Sequence, residues 1–449
     1  MPFGIGKQNT GNLPPGSMGW PILGEALTYA RSPHTFMESR ARKHGSVFKT
    51  RILGSKIICF VGPGPFSFLV ANPQFDRAGA APGHISELLC NESLPLIDGA
   101  NHTSMRGKVE QAFTPQAIGA YLKITERLLA RYIERWESLR ELAWADEFKL
   151  FSAALCSALL LGPAEDFEAD AKLAKTLDEF LDGVTAIPIN LPFTTYGKAI
   201  RRRDDLLSDI DRSIASHGRS AHDDMLSRLM AARDSDGSPL APGELRAQMV
   251  HLFFAAYGGI YRVLALQAMN LAQHPDVRDR VMEEFSAVSP NSLDLATLLK
   301  LEYLDAVTRE VRRNNRLFAS NFFDNVTQDT EYAGFDIPRG WKVTGVVYQT
   351  MQDESVFAEP DRFDPDRFTE PRREQDTATN AYIPHGGGDP SGHRCPAEDF
   401  ATLLMQQTAV SLMRSHSWDL VAGQDLSLTG GPSPMPRDGI RVVFTRKPA

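Results

Sequence analysis

Apolar residues recur at intervals of three and four along the middle of the chain, and that spacing predicts helix. It is plain in "AYLKITERLLARYIERWESL" and "MLSRLMAARD", and from about Met105 to Val288 the pattern is overwhelmingly helical. The two ends read differently. "TFMESRARKHGSVFKTRILGSKIICFVGPGPFSFLVAN" predicts a helix, two β-rich segments with a turn at Gly54–Ser55, and another helix. After Phe318 strand and loop alternate, and "DGIRVVFTRKP" predicts a closing strand. Pro188 and Pro192 in "AIPINLPFTTYG" break one helix ahead of "KAIRRRDDLLSDIDRSIA". From about Pro242 to Gln273 the chain is apolar on most faces, which predicts a helix running through the core. No internal repeat and no low-complexity linker interrupts it. The expected fold is mainly α with smaller β regions (α+β), a single domain over residues 1–449, with residues 1–15 a flexible Pro-rich entry segment.

Composition narrows the function. With 42% hydrophobic and 23% charged residues, the chain has what a large globular core needs. A net charge of -8 gives no basic field to draw phosphates, so nucleic acid is not an expected partner. The start, "MPFGIGKQNTGNLPPGSMGWPILG", has the features of neither a signal peptide nor a membrane anchor, and a cytoplasmic protein without a membrane span is expected. The four cysteines form no CxxC pair and no zinc spacing. Cys59 and Cys156 sit in apolar runs and read as small buried hydrophobes, while Cys90 gives no clear signal.

Cys395 is different. It lies in "AYIPHGGGDPSGHRCPAEDFA", behind glycines, beside His393 and Arg394, with Pro396 suited to a first helical turn. Nearby cations and free N–H groups at a helix start stabilise a thiolate. The glycines would let the backbone approach something flat and bulky. A lone thiolate is wrong for structural zinc but suits axial ligation of haem iron. Taken alone, the stretch fits a reactive or buried thiol equally well. Glu310 and Arg313 in "EYLDAVTREVRRNNRLF" share a helix face, and Arg367 follows in "FAEPDRFDPDRF".

In this order, with the Pro-rich entry "LPPGSMGWPILG", these motifs resemble the cytochrome P450 superfamily over nearly the whole chain. The resemblance implies haem b as cofactor, Cys395 as its iron ligand, and a long central helix over the haem. It implies a structural ion-pair network of Glu310, Arg313 and Arg367. "HTSMRGKVEQAFTP" looks like the helix whose His102 and Arg106, one turn apart, meet a haem propionate, and His393 occupies the usual propionate-binding place before the cysteine, with Arg394 a further candidate contact. The Cys loop, with His385 ahead of the glycines, looks like that of the bacterial fatty-acid peroxygenase branch. The front of the chain looks more like the branch acting on retinoids, carotenoids and sterols.

The central helix departs from the family. Its usual A-G-x-[DE]-T segment falls on "AAYGGI", so Gly258 replaces the acid and Gly259 the threonine that pass protons during oxygen activation. Neither can carry a proton. The glycines are expected to leave room over the haem, with Tyr257 or Tyr261 partly filling it; the plain alternative is a kink or close packing. Arg262 is the nearest cation, although an arginine there usually pairs with a structural carboxylate. Four functions follow as candidates on a hydrophobic substrate. The first is oxidation driven by hydrogen peroxide. The second is redox-neutral isomerisation or isoprenoid cyclisation, to which the charges of Arg201 to Asp209 would add a Mg²⁺–diphosphate site if they are more than a solvated face. The third is conventional O₂ monooxygenation with a ferredoxin or flavodoxin system. The fourth is a non-catalytic haem sensor or carrier.

Overall fold

A computed structural model describes residues 11–162, 166–217, 223–288 and 293–448. Residues 1–10 of the expected entry segment lie outside these. Residues 11–15 are held: Asn12 Nδ2 donates to the Gly334 carbonyl at 2.7 Å, and the Pro15 carbonyl accepts from Lys49 N at 2.8 Å. Helix Pro33–His44 begins where Ser32 Oγ accepts from Thr35 N and Pro33 fixes φ, and it stops at Gly45, φ 91°. Strands Val47–Ile52 and Ser55–Val61 form a hairpin with Ile52 opposite Ser55. Its turn residues are Leu53 and Gly54, at φ 46° and 81°, one position earlier than the sequence suggested. Two positive φ values in a two-residue loop match the right-handed twist of the paired strands.

Ser55–Val61 pairs in parallel with Lys342–Val346, and Asp324–Val326 and Phe75–Asp76 complete a five-stranded sheet. One sheet thus joins the first and last thirds of the chain. Arg441–Arg446, the predicted closing strand, lies between Glu141–Ala143 and His416–Leu420.

Between the sheets the chain is helical, and the segment holding Pro188 and Pro192 is non-helical, as its prolines require. The 32-residue helix Pro242–Gln273 packs against Trp144–Leu160 and against Glu398–Ser415. By length and composition it is also apolar enough to cross a membrane, but half of its most apolar window is buried inside the protein. Gln267 Nε2 donates to the Met405 carbonyl at 2.9 Å and Trp418 Nε1 to the Ala268 carbonyl at 2.8 Å, fixing the helix against its neighbours. Trp136, Trp144 and Phe148 pack beneath with ring centroids 4.9–5.4 Å apart. Edge and stacked contacts of this kind add about 0.5–1.5 kcal/mol each to the area they bury.

Candidate functional site

Glu310 and Arg313 stand three residues apart on helix Glu302–Asn314, and their side chains are fully buried. Arg313 Nε donates to Glu310 Oε2 at 2.7 Å and its terminal nitrogen to Oε1 at 2.9 Å. Arg367 Nε reaches the same Oε1 at 3.2 Å, and Asp364 N donates to it at 2.9 Å. Arg367 also donates to Glu374 Oε2 at 2.7 Å. Glu374 is a network member that sequence reasoning missed. Two buried guanidinium groups need more than one carboxylate, and that imbalance was the available signal.

The same helix braces the Cys395 loop. Arg312 donates to His385 Nε2 at 2.9 Å, and the His385 carbonyl accepts from Cys395 N at 3.0 Å. Burial, Arg312 and Arg394 hold His385 uncharged, well below the usual histidine range. Burial raises the Cys395 thiol, against a backbone hydrogen bond from Ala397 and the charges of Arg106 and Arg394. Gly386 and Gly388 adopt φ of 82° and 85°, where a side chain would be strained. A Cβ at Gly387 would come within 2.5 Å of Asn380 Oδ1 and 2.8 Å of Phe66. That glycine is required by the chain's own packing rather than by the approach of a bulky flat group. Cys59 and Cys156 are buried among apolar residues, and burial lifts the Cys156 thiol to about 12.

His102 and Arg106 lie one turn apart on helix Gly99–Glu110, both buried. The His102 and His393 rings are 4.2 Å apart. His102 Nε2 is buried without a hydrogen-bond partner, and burial, with the neighbouring His393, lowers its pKa to about 4. His393 Nε2 donates to Asp98 Oδ1 at 2.8 Å, a carboxylate that no motif in the chain marks out. Arg106 bonds Glu110 at 2.6 Å and the carbonyls of Pro390 and Arg394, so it clips this helix to the Cys loop. The Arg394 guanidinium turns to Glu398 at 2.7 Å, one helical turn on, and does not join the His102–His393 cluster.

On the central helix, Ala255 is exposed in mid-helix and Gly259 is half-buried. A Cβ on Gly259 would meet nothing within 4 Å, and one on Gly258 would reach Leu181 Cδ1 at 3.3 Å. The face with room is therefore the one carrying Ala255 and Gly259. Tyr257 does not fill it. Two residues turn an α-helix by about 200°, and the Tyr257 hydroxyl donates to Asp178 Oδ1 at 3.0 Å in the packed helices behind. Tyr261 packs beside Tyr257 with the Lys149 ammonium 5.5 Å from its ring.

Arg262 has no carboxylate partner among the described residues. Its Nε donates to the Gly258 carbonyl at 2.6 Å and another nitrogen to the Leu317 carbonyl at 3.2 Å, with Phe318 packed on the guanidinium. Burial lowers its pKa. Sequence reasoning overlooked His251, four residues before Ala255 and half-buried; the spacing 251–255–259 was the signal. The charges at Arg201 to Asp209 pair locally, Arg202 with Asp205 and Glu179, each at 2.7 Å, and Arg203 with Asp204. No group of metal-ligating side chains occurs among the described residues.

The family model for Cytochrome P450 matches residues 14–440. The chain belongs to the cytochrome P450 family. It is 32% identical over 433 residues to a cytochrome P450 120 of Synechocystis sp., covering 96% of each chain. Abscisic acid 8'-hydroxylase 1 of Arabidopsis thaliana is 27% identical over 445 residues, 97% of this chain and 92% of that one. The solved structure of retinoic acid bound cyanobacterial CYP120A1 has a TM-score of 0.90 at 32% identity, covering 98% of this chain and all of that one. Cytochrome P450SP alpha (CYP152B1) gives a TM-score of 0.79 at 22% identity, covering 94% of this chain and 99% of that one; at that identity the likeness concerns the fold alone.

Membership makes this P450 a haem-thiolate enzyme of the monooxygenase family. The residues present fit the cofactor. Cys395 offers a sulfur supported by a backbone N–H and two guanidinium groups. His102 Nε2 is a buried polar atom lacking a partner, which a propionate oxygen would satisfy. The Ala255–Gly259 face has room above.

Proposed function

We propose that this P450 oxidises a hydrophobic, isoprenoid-type substrate with hydrogen peroxide as the oxidant. Cys395 ligates the iron, and His102, His393 and Arg106 meet the propionates. The haem supplies the redox-active iron for the oxidation. Gly258 and Gly259 carry the reading: they stand where the family places an acid and a threonine, and Gly259 faces open space. This helix has nothing at either position to hold or move a proton. Peroxide brings both electrons and both protons, so the route needs no reductase; a proton must still pass between the two peroxide oxygens, and a group other than residues 258 and 259 has to move it. The isoprenoid class is supported by relatives named for abscisic acid and by the retinoic acid bound structure. Arg262, engaged with two main-chain carbonyls, is assigned to holding the helix rather than to substrate.

A second reading is O₂ monooxygenation with a ferredoxin or flavodoxin partner, water or a substrate hydroxyl replacing the lost pair. The full-length similarity to a hydroxylase favours it. Redox-neutral cyclisation through a diphosphate loses its support, because the Arg201 to Asp209 charges pair with one another and with Glu179. The test is to incubate the purified holoenzyme with retinoid, terpenoid and fatty-acid panels under peroxide, under NADPH with a reductase system, and with neither. Product with peroxide alone is expected. Tightly coupled NADPH-dependent product would overturn the peroxide reading, and product without oxidant would restore the redox-neutral one.

A further inference from the structure

Within two turns of Ala255 on the central helix, three polar side chains lie within about 40° of it: Gln248, His251 and Arg262. Two of them are engaged. Gln248 accepts from Leu94 N at 3.0 Å and donates to the Glu92 carbonyl at 3.0 Å, closing that end of the face. Arg262 bonds the Gly258 and Leu317 carbonyls at the other. His251, about 6 Å along the helix from Ala255, makes no hydrogen bond to any described residue and stays half-buried. A half-buried imidazole on an apolar helix, with a free donor and a free acceptor, suits a ligand oxygen.

The kind of oxygen follows from charge. Burial alone lowers the His251 pKa, to about 4, with no contribution from a charged neighbour, so the ring is neutral at pH 7. A neutral imidazole donates to a carbonyl or accepts from a hydroxyl. A carboxylate would be a desolvated charge, and no charged group acts on the ring to balance it.

We propose that His251 is a specificity-determining residue that hydrogen-bonds a hydroxyl or carbonyl oxygen already present on the substrate. The inference rests on the isoprenoid reading for the substrate skeleton only. It implies that an earlier oxygenation or hydration supplies the substrate.

The test is binding, read from the haem absorbance of the holoenzyme. β-Ionone, β-ionol, their parent hydrocarbon and the matching carboxylic acid are titrated into wild type, His251→Leu and His251→Gln. One hydrogen bond corresponds to roughly ten-fold in Kd. His251→Leu is expected to lose about that factor for the ketone and alcohol and nothing for the hydrocarbon. His251→Gln, which keeps a donor and an acceptor, should recover most of it. A reduced-CO spectrum shows that each variant is folded and haem-loaded. An equal change across all four ligands, or the largest loss for the carboxylic acid, overturns the proposal. If no ionone-type ligand binds wild type, the isoprenoid reading fails, and the same comparison with 1-dodecanol, 2-dodecanone and dodecane decides His251 separately.

Discussion

Removing the Glu310 carboxylate tests whether the ion-pair network is structural. Glu310 accepts two bonds from Arg313, one from Arg367 and one from Asp364 N, and neither it nor the two arginines is exposed. In Glu310→Ala, Arg313 retains only main-chain carbonyls, among them Met351 at 3.0 Å and Pro360 at 2.6 Å. Stranding one buried charge costs about 3–5 kcal/mol. Arg367 keeps Glu374, so the expected total stays near that range rather than doubling. Glu374→Ala is the control: Arg367 retains Glu310, and Glu374 is 11% exposed, so water can approach. A loss of about 1.5–3 kcal/mol is expected there, the scale of the charged hydrogen bond to Arg367, because the two bonds from Arg372 come from a side chain 36% exposed and add little. Urea denaturation of both variants, with the haem-to-protein ratio, measures the difference. Glu310→Ala should express poorly and hold little haem, and Glu374→Ala should hold most of it. A soluble, haem-loaded but inactive Glu310→Ala would refute the structural assignment and point to a direct role in turnover.

Cys395→Ser should abolish the reduced-CO spectrum of a thiolate-ligated haem, whereas Cys59→Ala, Cys90→Ala and Cys156→Ala should keep it; retention in Cys395→Ser would make the ligand assignment wrong. Gly259→Thr with Gly258→Glu should raise NADPH-driven oxygen consumption several-fold. Position 259 is open, whereas at buried 258 the Cβ alone meets Leu181 Cδ1 at 3.3 Å, so the larger side chain costs about 1–3 kcal/mol of overpacking; unchanged consumption in a folded variant counts against the relay argument. His34 is 1% exposed, and burial with the Arg316 and Arg262 charges lowers its pKa to about 3, against a smaller opposing contact with the Pro432 backbone. The unfolded chain binds the extra proton between about pH 3 and 6.5, so stability falls as pH drops through that window, by about 1–1.5 kcal/mol per unit. His34→Phe should flatten the acid limb of urea midpoints measured from pH 7 to 4, and an unchanged slope would show that His34 is not buried neutral.

The spacing of apolar residues foretold the long central helix, the helical middle and the closing strand, because helical and strand periods are local properties. The four-residue step from His102 to Arg106 and the three-residue step from Glu310 to Arg313 were legible for the same reason. The adjacent pair Gly258–Gly259 can be read directly from the chain. The sequence could not say which residues far apart along the chain would meet. Asp98 bonds His393, Arg106 reaches the carbonyls of Pro390 and Arg394, Arg312 supports His385, and Glu374 completes the network of Arg367. Each depends on how helices and loops pack, and none leaves a periodic trace. Packing also decided where ambiguous side chains go. Tyr257 turns to Asp178 because the face behind it is filled by another helix, and Arg394 turns to Glu398 because that carboxylate is one turn away. His251 acquires meaning only in the folded chain, where its neighbours' polar groups are engaged and its own are not: hydrogen-bond satisfaction belongs to the tertiary structure, not to a residue type.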